Sequence, residues 1–268
     1  MSLRSLVAAE AAIRYYWFKR NRTLLFLSVV WPYLTVLVLY TLGNAYGSLD
    51  RYRESMGIDY PLLYMFAAST VAHSAVSVVD ESASIAQWHR WLGTLTYIMA
   101  SPHRTWVFVV ITGLVTSLFM TTITVSALLP AVILVSGLEG SLRLAVVYLV
   151  IIAGMAPLIA IAGVAAMMSL LAREEGNVMA FLNPLLLLLS GVFYPIEILP
   201  RLLEASSRLL PVSYLVEAAK LAAAFEGPLT GGMFLVAYVI ALMTLVYNSA
   251  GLLALEWADR GIRRKGVG

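Results

Sequence analysis

The chain has 268 residues, 61% hydrophobic and 12% charged, with a mean hydropathy of +0.86 and a formal net charge of +3. Soluble domains are roughly half apolar and a quarter charged, so this composition excludes one and predicts an all-α integral membrane protein whose bundle consumes most of the residues. Cysteine is absent, which excludes disulfides, thiol catalysis and cysteine-ligated metals; the pI near 9.1 comes from scattered cations, so no nucleic-acid partner is expected.

Residues 1–22 are predicted to form a cytoplasmic interfacial helix. Arg14, Lys19, Arg20 and Arg22 interleave with Tyr15, Tyr16, Trp17 and Phe18. Rings with a polar edge settle at headgroup level and cations settle at an anionic inner leaflet, so membrane lipid is the expected partner of this segment. It lacks the continuous apolar core of a cleavable signal, and the first span is expected to act as the insertion signal.

Residues 23–268 are predicted to be one transmembrane domain. A charge at the bilayer centre costs about 2.5 to 3.5 kcal/mol, so stretches free of Asp, Glu, Lys and Arg mark the spans. Six such stretches place spans at about 24–46, 60–80, 105–136, 143–171, 177–194 and 229–255, each close to or above the roughly 20 residues a crossing helix needs. An even number puts both termini on one side. With that side cytoplasmic, inner segments carry 12 Lys or Arg against 7 Asp or Glu and outer segments 6 against 8. The excess of bases inside predicts a multi-pass protein of the cell membrane.

In the first span, Gly43 and Gly47 have GxxxG spacing, which would serve either close packing or helix exit. The second span holds His73, the sole ionisable residue read within the apolar centres. Ion-coupled carriers keep acids or histidines at membrane depth, so such a carrier is disfavoured and His73 is expected to be a hydrogen-bonded packing residue. No HExxH, GxSxG or P-loop string occurs, and His73, His89 and His103 lack metal-ligand spacing. No catalytic residue, metal or cofactor is therefore assigned to this chain, and the energy is expected to arrive from another subunit.

The inner loop from Asp80 to Trp106 carries Ile85, Trp88, Trp91, Leu92, Leu95 and Ile98, which predict one apolar face on a short helix interrupted by Gly93 and ended by Ser101 and Pro102. It reads either as an interfacial helix or as a lever for a cytoplasmic partner. The fifth span contains Asn183-Pro184, a predicted kink, and Gly191 and Pro195 are expected to supply the bend that follows. Between Pro195 and Glu226 the chain stays apolar, yet Arg201, Glu204 and Arg208 are spaced for ion pairs and Glu217 stands three residues before Lys220. Two readings are open: helices that dip back into the outer half of the membrane, or a loop lying on the outer surface.

Two strings carry a family resemblance. GTLTYIMASP, Gly93 to Pro102, resembles the inner-loop motif of membrane subunits of type 2 ABC exporters, although Thr96 stands where many relatives have an acid. LSGVFYPIEILPRLLEASSRLLPVSYLVEAAK, Leu189 to Lys220, resembles the late segment of the same subunits. The resemblance implies a homodimer of six-helix subunits bound to two copies of a cytoplasmic ABC ATPase, which would hold ATP and Mg. It implies ATPase coupling through Glu81, Trp88, Arg90, Gly93, Thr94, Leu95, Ser101 and Pro102. It implies a re-entrant outer gate containing Gly191, Pro195, Glu197, Pro200 and Pro211. The transport pathway would use Phe26, Trp31, Tyr33, Tyr40, Tyr64, Phe66, Asn183 and Phe193. The expected function is ATP-driven export of a hydrophobic, amphipathic or lipid-linked molecule, with a polysaccharide also open; the alternatives are an ion-coupled carrier or channel without an ATPase, and a membrane-embedded transferase.

Overall fold

The structure, a computed structural model, describes residues 3–45, 47–101, 103–171, 178–223 and 231–265, and the regular elements among them are helical. The chain begins with α1 (Leu3–Arg20), whose last turn is closed by Asn21 Nδ2 donating to the Trp17 carbonyl at 2.9 Å. Helix α2 (Arg22–Ala45) leads to a short α3 (Leu49–Met56) that no charge count predicts. Its signals are local: the Ser48 hydroxyl accepts the Arg51 N–H, Tyr52 and Met56 turn inward, and Gly57 at φ 58° closes the end. The GxxxG pair divides its labour. A Cβ on Gly43 would lie 3.0 Å from Met65, so this glycine serves close packing, while Gly47, at φ 102°, is where the chain leaves the helix.

Helix α4 (Pro61–Trp91) is the core of the bundle. The second span was expected to end near residue 80, but no glycine or proline interrupts the chain between Pro61 and Gly93, so the helix runs on to Trp91. Gly93, at φ 69°, breaks it, and a one-and-a-half-turn α5 (Leu95–Ala100) follows. Helix α6 (Thr105–Leu171) has its break at Gly137, with φ 63° and ψ −155°, a conformation that favours glycine. The chain doubles back there: the Thr122 and Tyr148 hydroxyls meet at 2.8 Å, and a Cβ on Gly163 would lie 3.2 Å from Val110. The segments expected as third and fourth spans are these two antiparallel arms. Helices α2, α4, α6 and α10 (Gly231–Lys265) are long and apolar enough to cross a membrane.

In an apolar medium, small and hydroxyl side chains bring helices together. Where α4 meets the first arm of α6, Thr121 donates to Ser74 at 2.9 Å, and a Cβ on Gly113 would lie 2.8 Å from the Ser82 Cα. Helix α10 is keyed to the second arm by Asn248. Its Oδ1 accepts the Ala160 N–H at 3.2 Å and its Nδ2 donates to the Ala156 carbonyl at 3.1 Å, so the carboxamide bridges one turn of the second arm.

The two ends of the bundle differ. At the Gly137 end, Arg143 lies 5.1 Å over the Tyr60 ring and α7 (Val178–Leu189) stops near Tyr64. A turn at Gly191 (φ 76°) then feeds a 3₁₀ segment (Ile196–Ile198), α8 (Arg201–Leu209) and α9 (Pro211–Ala223). The expected ion pairs form, Arg208 to Glu204 at 2.7 Å and Lys220 to Glu217 at 3.9 Å. At about 20 Å, α9 is too short to cross, yet Val212, Leu215 and Ala219 are buried against the bundle. At the Gly93 end, a second cluster joins Leu95 to Val109, Leu170, Leu255 and Ile262. There Asp259 accepts the first N–H of α6 at 3.2 Å, and Arg104 pairs with Glu256.

Candidate transport cavity and the Gly93 tip

A cavity of about 500 Å³ lies between α2, α4 and α7. Its α4 wall is one stripe, His73, Ser77 and Asp80, spaced i, i+4, i+7. Trp31 and Thr35 face it from α2, Leu187 from α7, and Phe193 from the turn beyond. Asn183 Nδ2 donates to Asp80 Oδ1 at 2.8 Å, which ties α7 to α4 at the predicted kink. His73 departs from expectation: its Nε2 is buried and has no hydrogen-bond partner, as does Asn183 Oδ1. The reading of His73 as an isolated ionisable group is also corrected. Because α4 continues past residue 80, Asp80 and Glu81 sit on the same cavity, charges that a loop assignment had placed in water.

Of the residues expected along the pathway, Trp31, Asn183 and Phe193 line this cavity. Tyr33 instead donates to the Ala127 carbonyl at 2.5 Å, Phe66 is packed in the core, and Phe26 and Tyr40 lie on exposed surface of α2. Tyr64 is buried, with its hydroxyl donating to the Val192 carbonyl at 3.1 Å. It borders a second cleft of about 270 Å³, which also takes in Gly191, Pro195, Glu197, Arg208 and Lys220. Pro200 and Pro211 stand at the starts of α8 and α9, where a missing N–H costs nothing.

The tip at the far end of α4 is built around Gly93. The Thr94 hydroxyl donates its one proton to the His89 carbonyl at 3.2 Å, which makes His89 Nδ1 the donor in their 2.9 Å contact. Arg90 donates to the Leu170 carbonyl at 3.3 Å, and Leu95 is 1% exposed, so both root the tip in the helix ends. The expected single apolar face does not form, because the Gly93 turn redirects the chain. Ile85 and Leu95 point inward while Trp88 and Trp91 point out, with Trp91 79% and Tyr97 78% exposed. Trp91 was placed on the predicted apolar face but not among the coupling residues, and Tyr97 was not singled out; large rings flanking a glycine break were the available signal. Ser101 closes α5 by donating to the Ile98 carbonyl at 2.7 Å, and Pro102 lies outside the described residues. Glu81 lies ten residues, about 15 Å, along α4 from Trp91, on the cavity rather than at the tip.

Helix α1 packs on α6. It buries Glu10 there, which raises that carboxyl above the usual range, with the Arg14 charge opposing the shift. The Arg14 charge also acts on Glu81.

Long apolar helices keyed by hydroxyl and small side chains define an integral membrane helical protein. The chain belongs to the ABC-2 type transporter family, whose model matches residues 11–223, from α1 to the end of α9. Permeases of this family generally work with an ABC ATPase partner. A comparison with curated proteins returns no match.

Proposed function

We propose that the chain is the permease subunit of an ATP-driven exporter that moves a hydrophobic, amphipathic or lipid-linked molecule across the cell membrane. In this reading α2, α4, the two arms of α6 and α10 are five spans and the fifth in chain order, about 177–194, is a further one of which α7 is the described helix, too short by itself to cross; both termini are cytoplasmic, and α8 and α9 form the re-entrant outer gate. The subunit acts as a homodimer with two ATPase copies, which bind the ATP and Mg. The observation that carries the reading is the inner tip. Trp88, Trp91 and Tyr97 offer aromatic surface to a partner, while Leu95 and Arg90 tie the same segment to α6 and α10, so a push on the rings moves whole helices.

The test uses the exposed rings, because a charge at Leu95 would break packing instead of docking. A Trp88→Asp, Trp91→Asp double variant should still insert, but its affinity for the ATPase should fall about 30-fold or more, the weight of an aromatic hot spot. Pull-down of the ATPase from solubilised membranes, with ATP-dependent transport in vesicles, measures this. Undiminished capture and transport would contradict the coupling role of the tip. The second reading, an ion-coupled carrier, is favoured by His73, Asp80 and Glu81 sharing one cavity; gradient-driven uptake by the chain reconstituted alone would establish it.

A further inference from the structure

The cavity between α2, α4 and α7 has an uneven supply of hydrogen-bonding groups. Asp80 is an acceptor, and the Asn183 bond uses one of its two oxygens. Asn183 Oδ1, left over once its Nδ2 has gone to Asp80, is a second acceptor with no partner. His73 Nε2 is buried without a partner on the same wall. Among the described residues no Lys or Arg lines the cavity. Arg14, on α1, is not among the lining residues and its charge opposes that of Glu81, while the hydrogen bond that Asp80 receives among the described residues comes from a neutral amide. The Thr35 and Ser77 hydroxyls donate within their own helices, to the Trp31 and Ser74 carbonyls, and the rest of the wall is mainly apolar and aromatic, with Trp31, Leu187 and Phe193. Ring faces attract cations, and a volume of about 300 to 1,000 Å³ suits a single drug-sized molecule.

We propose that this cavity binds a hydrophobic ammonium ion, its apolar body against Trp31, Leu187 and Phe193 and its N–H groups donating to Asp80 and Asn183 Oδ1. An anion would set acceptor against acceptor, and a neutral apolar molecule would leave the buried acceptors unpaired, a cost that discriminates strongly between otherwise similar ligands. The inference rests on the export reading and narrows its cargo.

Three probes sharing one ring system test it: 1-pyrenemethylammonium, 1-pyrenemethanol and 1-pyrenecarboxylate. Binding is read by energy transfer from tryptophan to pyrene, with the intact chain in phosphatidylcholine nanodiscs and empty nanodiscs subtracted. The ammonium should bind saturably, the alcohol about tenfold or more weakly, and the carboxylate more weakly still. Asp80→Asn keeps an oxygen for Asn183 yet removes the charge, and should weaken the ammonium by about ten- to a hundredfold. Ser77→Trp, which fills the cavity, should abolish saturable binding. Equal affinity for all three probes in the unaltered protein overturns the proposal, even where a variant fails to fold, and so does unchanged ammonium binding in both folded variants. ATPase capture by the unaltered chain is scored separately. Capture without charge selectivity discards the cargo assignment and keeps the exporter; no capture discards the exporter.

Discussion

On α10, the Asn248 carboxamide occupies a place in another helix's ladder, accepting from Ala160 and donating to Ala156. Inside a membrane each such bond contributes about 0.6 to 2 kcal/mol, because an apolar surround offers the freed groups few replacements. Asn248→Leu should therefore lower stability by about 1 to 3 kcal/mol, read as a shift in the SDS-unfolding midpoint in mixed micelles; an unchanged midpoint would show that the second arm of α6 satisfies its own ladder. Asn248 is visible in the sequence, but its two partners lie 88 and 92 positions away and no local pattern points to them. Asp80 was misjudged for the same reason. Charge counting treats it as water-facing, whereas Asn183 supplies a donor 103 positions on.

At the scale of elements, breaks decide the architecture more than apolar runs do. Gly93 and Gly137 end α4 and fold α6, and both adopt a positive φ that other residues resist. Gly113 acts instead by absence, letting α4 and α6 approach at Ser82. Gly113→Ala puts a methyl 2.8 Å from the Ser82 Cα, too close for a side-chain rotation to relieve. It should cost about 1 to 3 kcal/mol through overpacking. Gly261→Ala on α10 meets nothing within 4 Å and serves as the control. Thermal unfolding in detergent should separate the two, and equal melting temperatures would refute the close contact. The long apolar helices were legible because cost per charge is a one-dimensional property. The small α3 was not, since its stability rests on a Ser48 cap and a buried Tyr52 and not on length or hydropathy.

For the whole molecule, the absence of native cysteine allows sidedness to be read by single-cysteine labelling. Leu138→Cys beside the α6 turn and Tyr97→Cys at the tip occupy positions 79% and 78% exposed, so substitution disturbs little packing. On intact cells a membrane-impermeant maleimide should label position 138, and position 97 should react only after permeabilisation. The opposite pattern would invert the topology. The sequence by itself determined an all-helical membrane protein with long apolar helices, because hydrocarbon penalises each charge wherever its neighbours lie. Only the tertiary structure decided that Asp80, Asn183 and His73 share a cavity, and that Trp91 and Tyr97 face outward while Leu95 faces in. Those outcomes depend on which faces of distant helices meet, and hydroxyl contacts, small residues and glycine breaks between segments far apart in the chain determine that.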